Sequence, residues 1–202
     1  PGGLGDAGAP VEQVQDGHTP LADLLPPDEL GSRGGEGLLR GGDVGANTME
    51  RCTALDRYVV FHTTEALDPV RDTNAKHDVY LRDLLTGQVE LVSLTPAGTA
   101  AGNNMSVYGV ISQDGRYVAF ASTATNLVAG DTNGKWDVFR RDRTAGTTAR
   151  VSVGLAGAQG NGDSTWPAMS LDGNLVVFTS LAKNLVAGDT NNWQDIFLRD
   201  VS

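Results

Sequence analysis

From residue 57 the chain is written in short runs of Val, Phe, Tyr and Ile in which apolar and polar positions alternate, separated by small polar turns. That period of two is the signature of half-buried β-strands. "RYVVFHT" at 57 returns as "RYVAFAS" at 116 and "NLVVFTS" at 174, and "DTNAKHDVYLRD" at 72 returns as "DTNGKWDVFRRD" at 131 and "DTNNWQDIFLRD" at 189. Phe61, Phe120 and Phe178 each stand eleven residues before Asp72, Asp131 and Asp189, and "LVSLTPAG" at 91 returns as "RVSVGLAG" at 150. The repeat is 58 to 59 residues long, and self-similarity at a fixed period marks an array in which each unit is one supersecondary element stacked on its neighbours. The second unit predicts strand one in "VYGVIS", a tight "QDG" turn, strand two in "RYVAFAS", a long loop, strand three in "DVFRRD", a "RTAG" turn and strand four in "TARVSV".

Four antiparallel strands per unit make the blade of a β-propeller, so the expected fold is all-β. Blade 1 is expected over 48–106, blade 2 over 107–164 and a partial blade 3 over 165–202, which reaches "IFLRDVS" without a fourth strand. A propeller needs about four blades to close, and the expectation is therefore an incomplete propeller. It fits a piece of a longer chain, a homo-oligomeric ring, or an open stack with exposed edges.

The combination "S-x-DG-RYVAF … DVFxRD … TG … VS" resembles the TolB-type, WD-like propeller repeats of bacterial secreted and envelope proteins, in the subgroup with "NLVAGDTNG" loops. The resemblance spans roughly residues 48 to 202. The first unit departs from it, with "LDRYVVF" for "DGRYVAF" and "LDPVRDTN" for "NLVAGDTN", so a distorted turn and loop are expected there. The resemblance implies an extracellular or periplasmic location and a binding or scaffold role.

Composition adds a boundary. Residues 1–50 hold 12 of the 26 Gly, 5 of the 8 Pro and nine acids against two Arg, which predicts an acidic linker or tail that buries too little apolar surface to fold. The whole chain has net charge −10 and no basic stripe, which disfavours nucleic acid. No apolar run is long enough for a membrane span. Cys52 is the single cysteine, so an internal disulfide is excluded. It aligns with Ile111 and Met169 in an apolar slot of strand one.

The candidate metal positions are Asp72, Asn74 and Asp78, then Asp131, Asn133 and Asp137, then Asp189, Asn191 and Asp195. Alternate Asp and Asn in a tight loop supply the hard oxygens that Ca²⁺ requires. The next EF-hand ligand position holds Lys76, Lys135 and Trp193, and no closing Glu follows, which excludes an EF-hand. Two readings remain: Asx turns that structure the loop, or a calcium site of another geometry completed by backbone carbonyls.

In a four-stranded meander the loops after strands two and four leave the blade at the same end. The long loops "NLVAGDTNGKW" and "GLAGAQGNGDSTW" therefore share a face with Trp136, Trp166 and Trp193, and Tyr108 matches the region of Trp166. Aromatic side chains beside Asp and Asn suit either a protein partner or a polysaccharide. The main functional expectation is a non-catalytic binding or scaffold module with this ligand face. A lectin-like ring of several chains and a fragment of a propeller lyase or hydrolase are the alternatives. No GxSxG, HExxH or Walker loop occurs. His62 and His77 are expected at the surface, and Arg82, Arg141 and Arg199 are expected to pair with the Asp that follows each.

Overall fold

The computed structural model describes residues 51, 52 and 57–202, so the expected acidic tail lies outside the described residues. The described part is three antiparallel sheets in chain order. The first sheet holds β1 (Arg51–Cys52), β2 (Tyr58–Thr63), β3 (Asp78–Asp83) and β4 (Val89–Leu91). The second holds β5 (Ser106–Ile111), β6 (Tyr117–Ser122), β7 (Asp137–Asp142) and β8 (Thr147–Arg150). The third holds β9 (Ser164–Met169), β10 (Leu175–Ser180) and β11 (Asp195–Asp200). Each sheet is a simple meander with neighbouring strands paired. This is the expected architecture of two four-stranded blades and a third of three strands, an incomplete propeller. Among the described residues the helical content is one 3-10 turn at Leu155–Gly157.

The repeat is carried into register. Phe61 pairs with Tyr80, Phe120 with Phe139 and Phe178 with Phe197, and in each blade the two rings stack about 6 Å apart. Because side chains alternate across a strand, each blade has two apolar faces. Val60, Val79, Leu81 and Val92 of blade 1 pack on Val118, Phe120, Leu127 and Phe139 of blade 2. In turn Val110, Ala119, Val138 and Val151 of blade 2 pack on Val176, Phe178, Ala182 and Leu185 of blade 3. Burying a side chain of this kind is worth about 1.5–3 kcal/mol, so stacking of blades, more than any one sheet, holds the array together. On blade 3 the equivalent outward positions are open: Ile196, which matches the fully buried Val138, is 76% exposed, and Leu198 is 65% exposed.

The tight turn before strand two is fixed by its own side chains. The Ser112 hydroxyl donates to Asp114, and Asp114 accepts from the backbone N–H of Arg116; Ser170, Asp172 and Asn174 repeat this. Gly115 (φ 75°) lies so close to the Tyr58 ring that an added Cβ would come within 2.3 Å, and Gly173 (φ 75°) meets Tyr117 the same way at 2.5 Å. The turn of one blade is thus clamped under a tyrosine of the blade before it. Arg57 and Arg143 lie over Tyr58, and Arg116 and Arg140 over Tyr117.

The arginine expectation needs correction. Asp83 and Asp142 pair with Arg57 and Arg116, the residues that enter strand two, at 2.9 and 2.7 Å. They do not pair with Arg82 and Arg141, because neighbouring residues on a strand point to opposite faces. The buried Arg141 donates to Thr148 Oγ1, and Arg199 donates to the carbonyls of Val151 and Val153 in blade 2. In blade 3 the entering residue is Asn174, and Asp200 accepts instead from Ser202.

The first long loop keeps its strand register but changes its fastening. In the later blades Asn126 and Asn184 accept from the backbone N–H of Asn103 and Asn161 across the end of the blade. Blade 1 has Leu67 there, packed against Val59, Phe61 and Tyr80, and its loop is tied internally by an Asp68–Arg71 ion pair at 2.6 Å.

Candidate functional site

The meander brings the ends of strand two, the starts of strand three and the starts of strand one to one end of each blade. Thr63 pairs with Asp78, Ser122 with Asp137 and Ser106 with Ser122. At this end strand one carries a bulge in both later blades. Between Val107 and Val110, and again between Thr165 and Ala168, strand one advances three residues while strand two advances two. The inserted stretch begins at Tyr108 in one blade and at Trp166 in the other. Both adopt left-handed backbone angles, φ 59° and 54°, which cost a bulky L-residue about 1–2 kcal/mol each. Pro167, which has no N–H to offer a ladder, is tolerated because it sits in the bulge.

The bulges turn the two rings onto one another. Tyr108 and Trp166 stack across the blade boundary with centroids 4.1 Å apart and planes 22° from parallel. His62, at the end of β2, meets Tyr108 edge-on at 6.1 Å, and His77, just before β3, meets His62 at 5.3 Å. The four rings form a ladder through three consecutive blades, and Trp166 at its end is half exposed. His62 and His77 are therefore not free surface histidines: both are partly buried, and each has a buried Nδ1 without a partner. Desolvation, and next the neighbouring His77, hold the His62 imidazole below its ordinary range.

Of the four aromatic residues expected to bind ligand, the structure brings Tyr108 and Trp166 together. Trp136 and Trp193 stand apart, and among the described residues no ring stacks on either. Trp136 is partly buried, and its backbone N–H donates to Asp163. Trp193 is 77% exposed at the tip of its loop. The two histidines escaped the sequence reading because their repeat equivalents are unrelated residues, Ala121 and Thr179 for His62, Trp136 and Gln194 for His77. The available signal was positional, since one ends strand two and the other precedes strand three of the same blade.

The three Asp-Thr-Asn loops have one plan. In blade 1 the Asn74 amide donates to Asp78 and to the Gly102 carbonyl, while its carbonyl oxygen accepts from the Lys76 N–H. Asn133 does the same with Asp137, Gly160 and Lys135. Asn191 does so with Asp195 and Trp193. The residue after each Asn is left-handed: Ala75, Gly134 and Asn192. This is the Asx-turn geometry. Asp78 and Asp137 are fully buried and accept from the Ser93 and Ser152 hydroxyls at 2.6 Å. Burial pushes the Asp78 carboxyl up to about 7, and it raises Asp137 as well.

The first Asp of each loop is answered differently in each blade. Asp72 accepts from the Tyr80 hydroxyl at 2.5 Å. Asp131 cannot do so, because the matching residue is Phe139. It is met instead by the guanidinium of Arg150 at 3.1 Å, which lies opposite Phe139 on β8. Arg150 also comes within 3.7 Å of Asp137. In blade 3 Asp189 and Phe197 line one cavity, and Asp189 Oδ1, like Asp131 Oδ1, is buried without a hydrogen-bond partner. The residues proposed as calcium ligands thus sit together in pairs within each loop. Among the described residues no three His, Cys, Asp or Glu side chains gather as a metal site.

Fold and repeated loops together define a β-propeller repeat protein. No family model matches the chain, and no curated protein matches it. Among solved structures it is similar to TolB from Acinetobacter baumannii, at 16% identity and a TM-score of 0.44, over 77% of this chain and 33% of that one. It is similar also to the TolB structure from Agrobacterium tumefaciens, at 17% identity and TM-score 0.48, over 76% of this chain and 45% of the other. The tricorn protease follows at 16% and 0.43, over 67% of this chain and 11% of that one. The chain spans less than half the length of each of these structures. Among the described residues no helix is long and apolar enough to cross a membrane.

Proposed function

We propose that the chain is a non-catalytic binding module that takes its ligand at the long-loop end of the blades, on the ladder formed by His77, His62, Tyr108 and Trp166. The observation that supports this is the pair of left-handed, bulged aromatic residues stacked across a blade boundary with one ring half exposed. Strain of this kind is kept where ligands are gripped. An aromatic ledge of this kind suits a sugar ring or an aromatic or proline side chain of a protein partner. The resemblance to TolB-type repeats supports an exported, extracellular or periplasmic setting. Calcium remains the one cofactor the Asp-Thr-Asn loops would admit, and we read those loops as turns first.

The test is tryptophan fluorescence of the full chain against a panel of oligosaccharides and Pro- or aromatic-rich peptides. A bound ligand should change the emission, and Trp166→Ala or Tyr108→Ala should remove binding while Trp193→Ala leaves it. Binding that persists in both ladder variants, or that Trp193→Ala alone abolishes, would overturn this reading.

A further inference from the structure

The penultimate residue of strand two and the residue just before strand three are brought together by the blade. In blade 3 these are Thr179, paired with Ile196 on β11, and Gln194, and the Gln194 side-chain amide donates directly to the Thr179 hydroxyl. In blade 2 they are Ala121 and Trp136. In blade 1 they are His62, paired with Val79 on β3, and His77. The two imidazoles meet edge to face, with ring centres 5.3 Å apart and planes 75° from parallel. Unlike the pair in blade 3, this one does not satisfy itself. Nδ1 of His62 and Nδ1 of His77 are both buried, and neither has a hydrogen-bond partner. A buried polar atom left unpaired costs about 1–3 kcal/mol, and two such atoms on adjoining rings call for a partner from outside the chain.

The surroundings narrow what that partner is. Asp78 follows His77, but its carboxyl is engaged by Ser93 and Asn74. Lys76, which precedes His77, is exposed. Tyr108 of blade 2 stands edge-on to His62, so the pair lies where blades 1 and 2 meet. Among the described residues no third His, Cys, Asp or Glu joins it. Desolvation favours the neutral form of His62, and neutral imidazole is a common ligand of transition-metal ions. Two imidazoles on one tetrahedral ion, with each nitrogen about 2.1 Å from the metal, have ring centres about 5 Å apart. The two rings of blade 1 already stand at that separation.

We propose that His62 and His77 bind one divalent late-transition-metal ion through their Nδ1 atoms, with water in the remaining positions. Cu²⁺ should bind more tightly than Zn²⁺, following the general order of affinity for nitrogen ligands. The site differs in chemistry from the Asp-Thr-Asn loops, whose oxygens suit a hard ion such as Ca²⁺. It also does not rest on the aromatic ledge taking an organic ligand.

The experiment titrates the metal-free full chain with Cu²⁺, Zn²⁺ and Ca²⁺ salts by calorimetry at neutral pH, and records the electron paramagnetic resonance of the Cu²⁺ form. One equivalent of Cu²⁺ should bind with nitrogen coupling in the spectrum, Zn²⁺ should compete for the same site, and Ca²⁺ should displace neither. His62→Thr combined with His77→Gln installs the hydrogen-bonded pair that blade 3 already holds, so the chain should keep its circular dichroism. Binding in that variant should weaken at least about tenfold, since loss of even an outer-shell partner weakens a metal site by about 10–100-fold. His18→Ala, at the remaining histidine of the chain, should leave the titration unchanged. Trp166→Ala should leave it unchanged too, which separates this proposal from the ligand reading. Absence of a one-to-one site, undiminished binding in the double variant, or binding that His18→Ala alone removes would sink the proposal.

Discussion

Replacing Arg150 by Leu tests the account of the loop carboxylates most sharply, because blade 1 contains the compensating solution. Arg150 is 6% exposed in its side chain, and the carboxylates it faces are 4% exposed for Asp131 and fully buried for Asp137. Without the guanidinium, two buried carboxylates would be left without a counter-charge. The cheapest escape is to protonate Asp131, whose ordinary value is 3.8. At about 1.4 kcal/mol per pH unit this costs roughly 4 kcal/mol at pH 7 and under about 2 kcal/mol at pH 5. Arg150→Leu should therefore destabilise by about 3–4 kcal/mol at neutral pH and by much less at pH 5, in line with the loss of one partner of a buried pair. Adding Phe139→Tyr recreates the Tyr80 and Leu91 pairing of blade 1 and returns a hydroxyl donor to Asp131. A hydrogen bond to a charged group is worth about 1.5–3 kcal/mol, so the double variant should recover at least about half of the loss. Urea unfolding followed by tryptophan fluorescence, with all four proteins of the cycle at both pH values, measures this. A double variant no more stable than Arg150→Leu, or a loss that is the same at pH 5 and pH 7, would refute the reasoning.

Gly115→Ala should cost about 2 kcal/mol or more, because it adds a left-handed alanine and a clash with Tyr58, whereas Gly130→Ala, with φ 73° and open space around it, should cost only about 1–2 kcal/mol from the backbone alone; urea midpoints of the two variants compare them. Val138→Ala, at a fully buried position between blades, should lose roughly 2 kcal/mol by the same measurement, while Ile196→Ala at the exposed equivalent in blade 3 should stay within about 0.5 kcal/mol of the parent. The folded state holds the Asp78 proton more tightly than the unfolded chain, since burial moves that group from 3.8 up to about 7. Its contribution is present in full below pH 4 and is lost as pH rises towards 7, so in thermal melts from pH 4 to 7 Asp78→Asn should lose less stability with rising pH than the parent.

The blades were legible because their signals are repeated and local. Alternation placed strand three over residues 137–142, the range observed, and the Phe and Asp landmarks fixed the register of all three blades. What the sequence did not disclose depends on pairs brought together by the sheet. Phe139 and Tyr80 are a conservative difference until the facing residues Arg150 and Leu91 are seen beside them, and only then are the partners of Asp72 and Asp131 identified. The arginine pairs failed for the same reason: adjacency in the chain suggested Arg141 and Asp142, while the strand geometry turns them apart and offers Arg116 instead.

On the proposed reading, the ladder is a place where repetition itself misleads. Comparing equivalent positions favours residues that recur, which singled out the Asp-Thr-Asn loops and set aside His62 and His77 because nothing like them stands at 121, 136, 179 or 194. A scaffold role recurs in every blade, since each blade meets the same packing problem, whereas on the proposed reading a ligand meets the array once and its contacts need not recur. His62 and His77 of blade 1 have no counterpart in the later blades, whereas Tyr108 and Trp166 come from the same repeat position of blades 2 and 3. The two that share a repeat position are also the two held at left-handed backbone angles by a bulge. On the proposed reading that strain is kept because the bulge turns both rings towards one shared ledge.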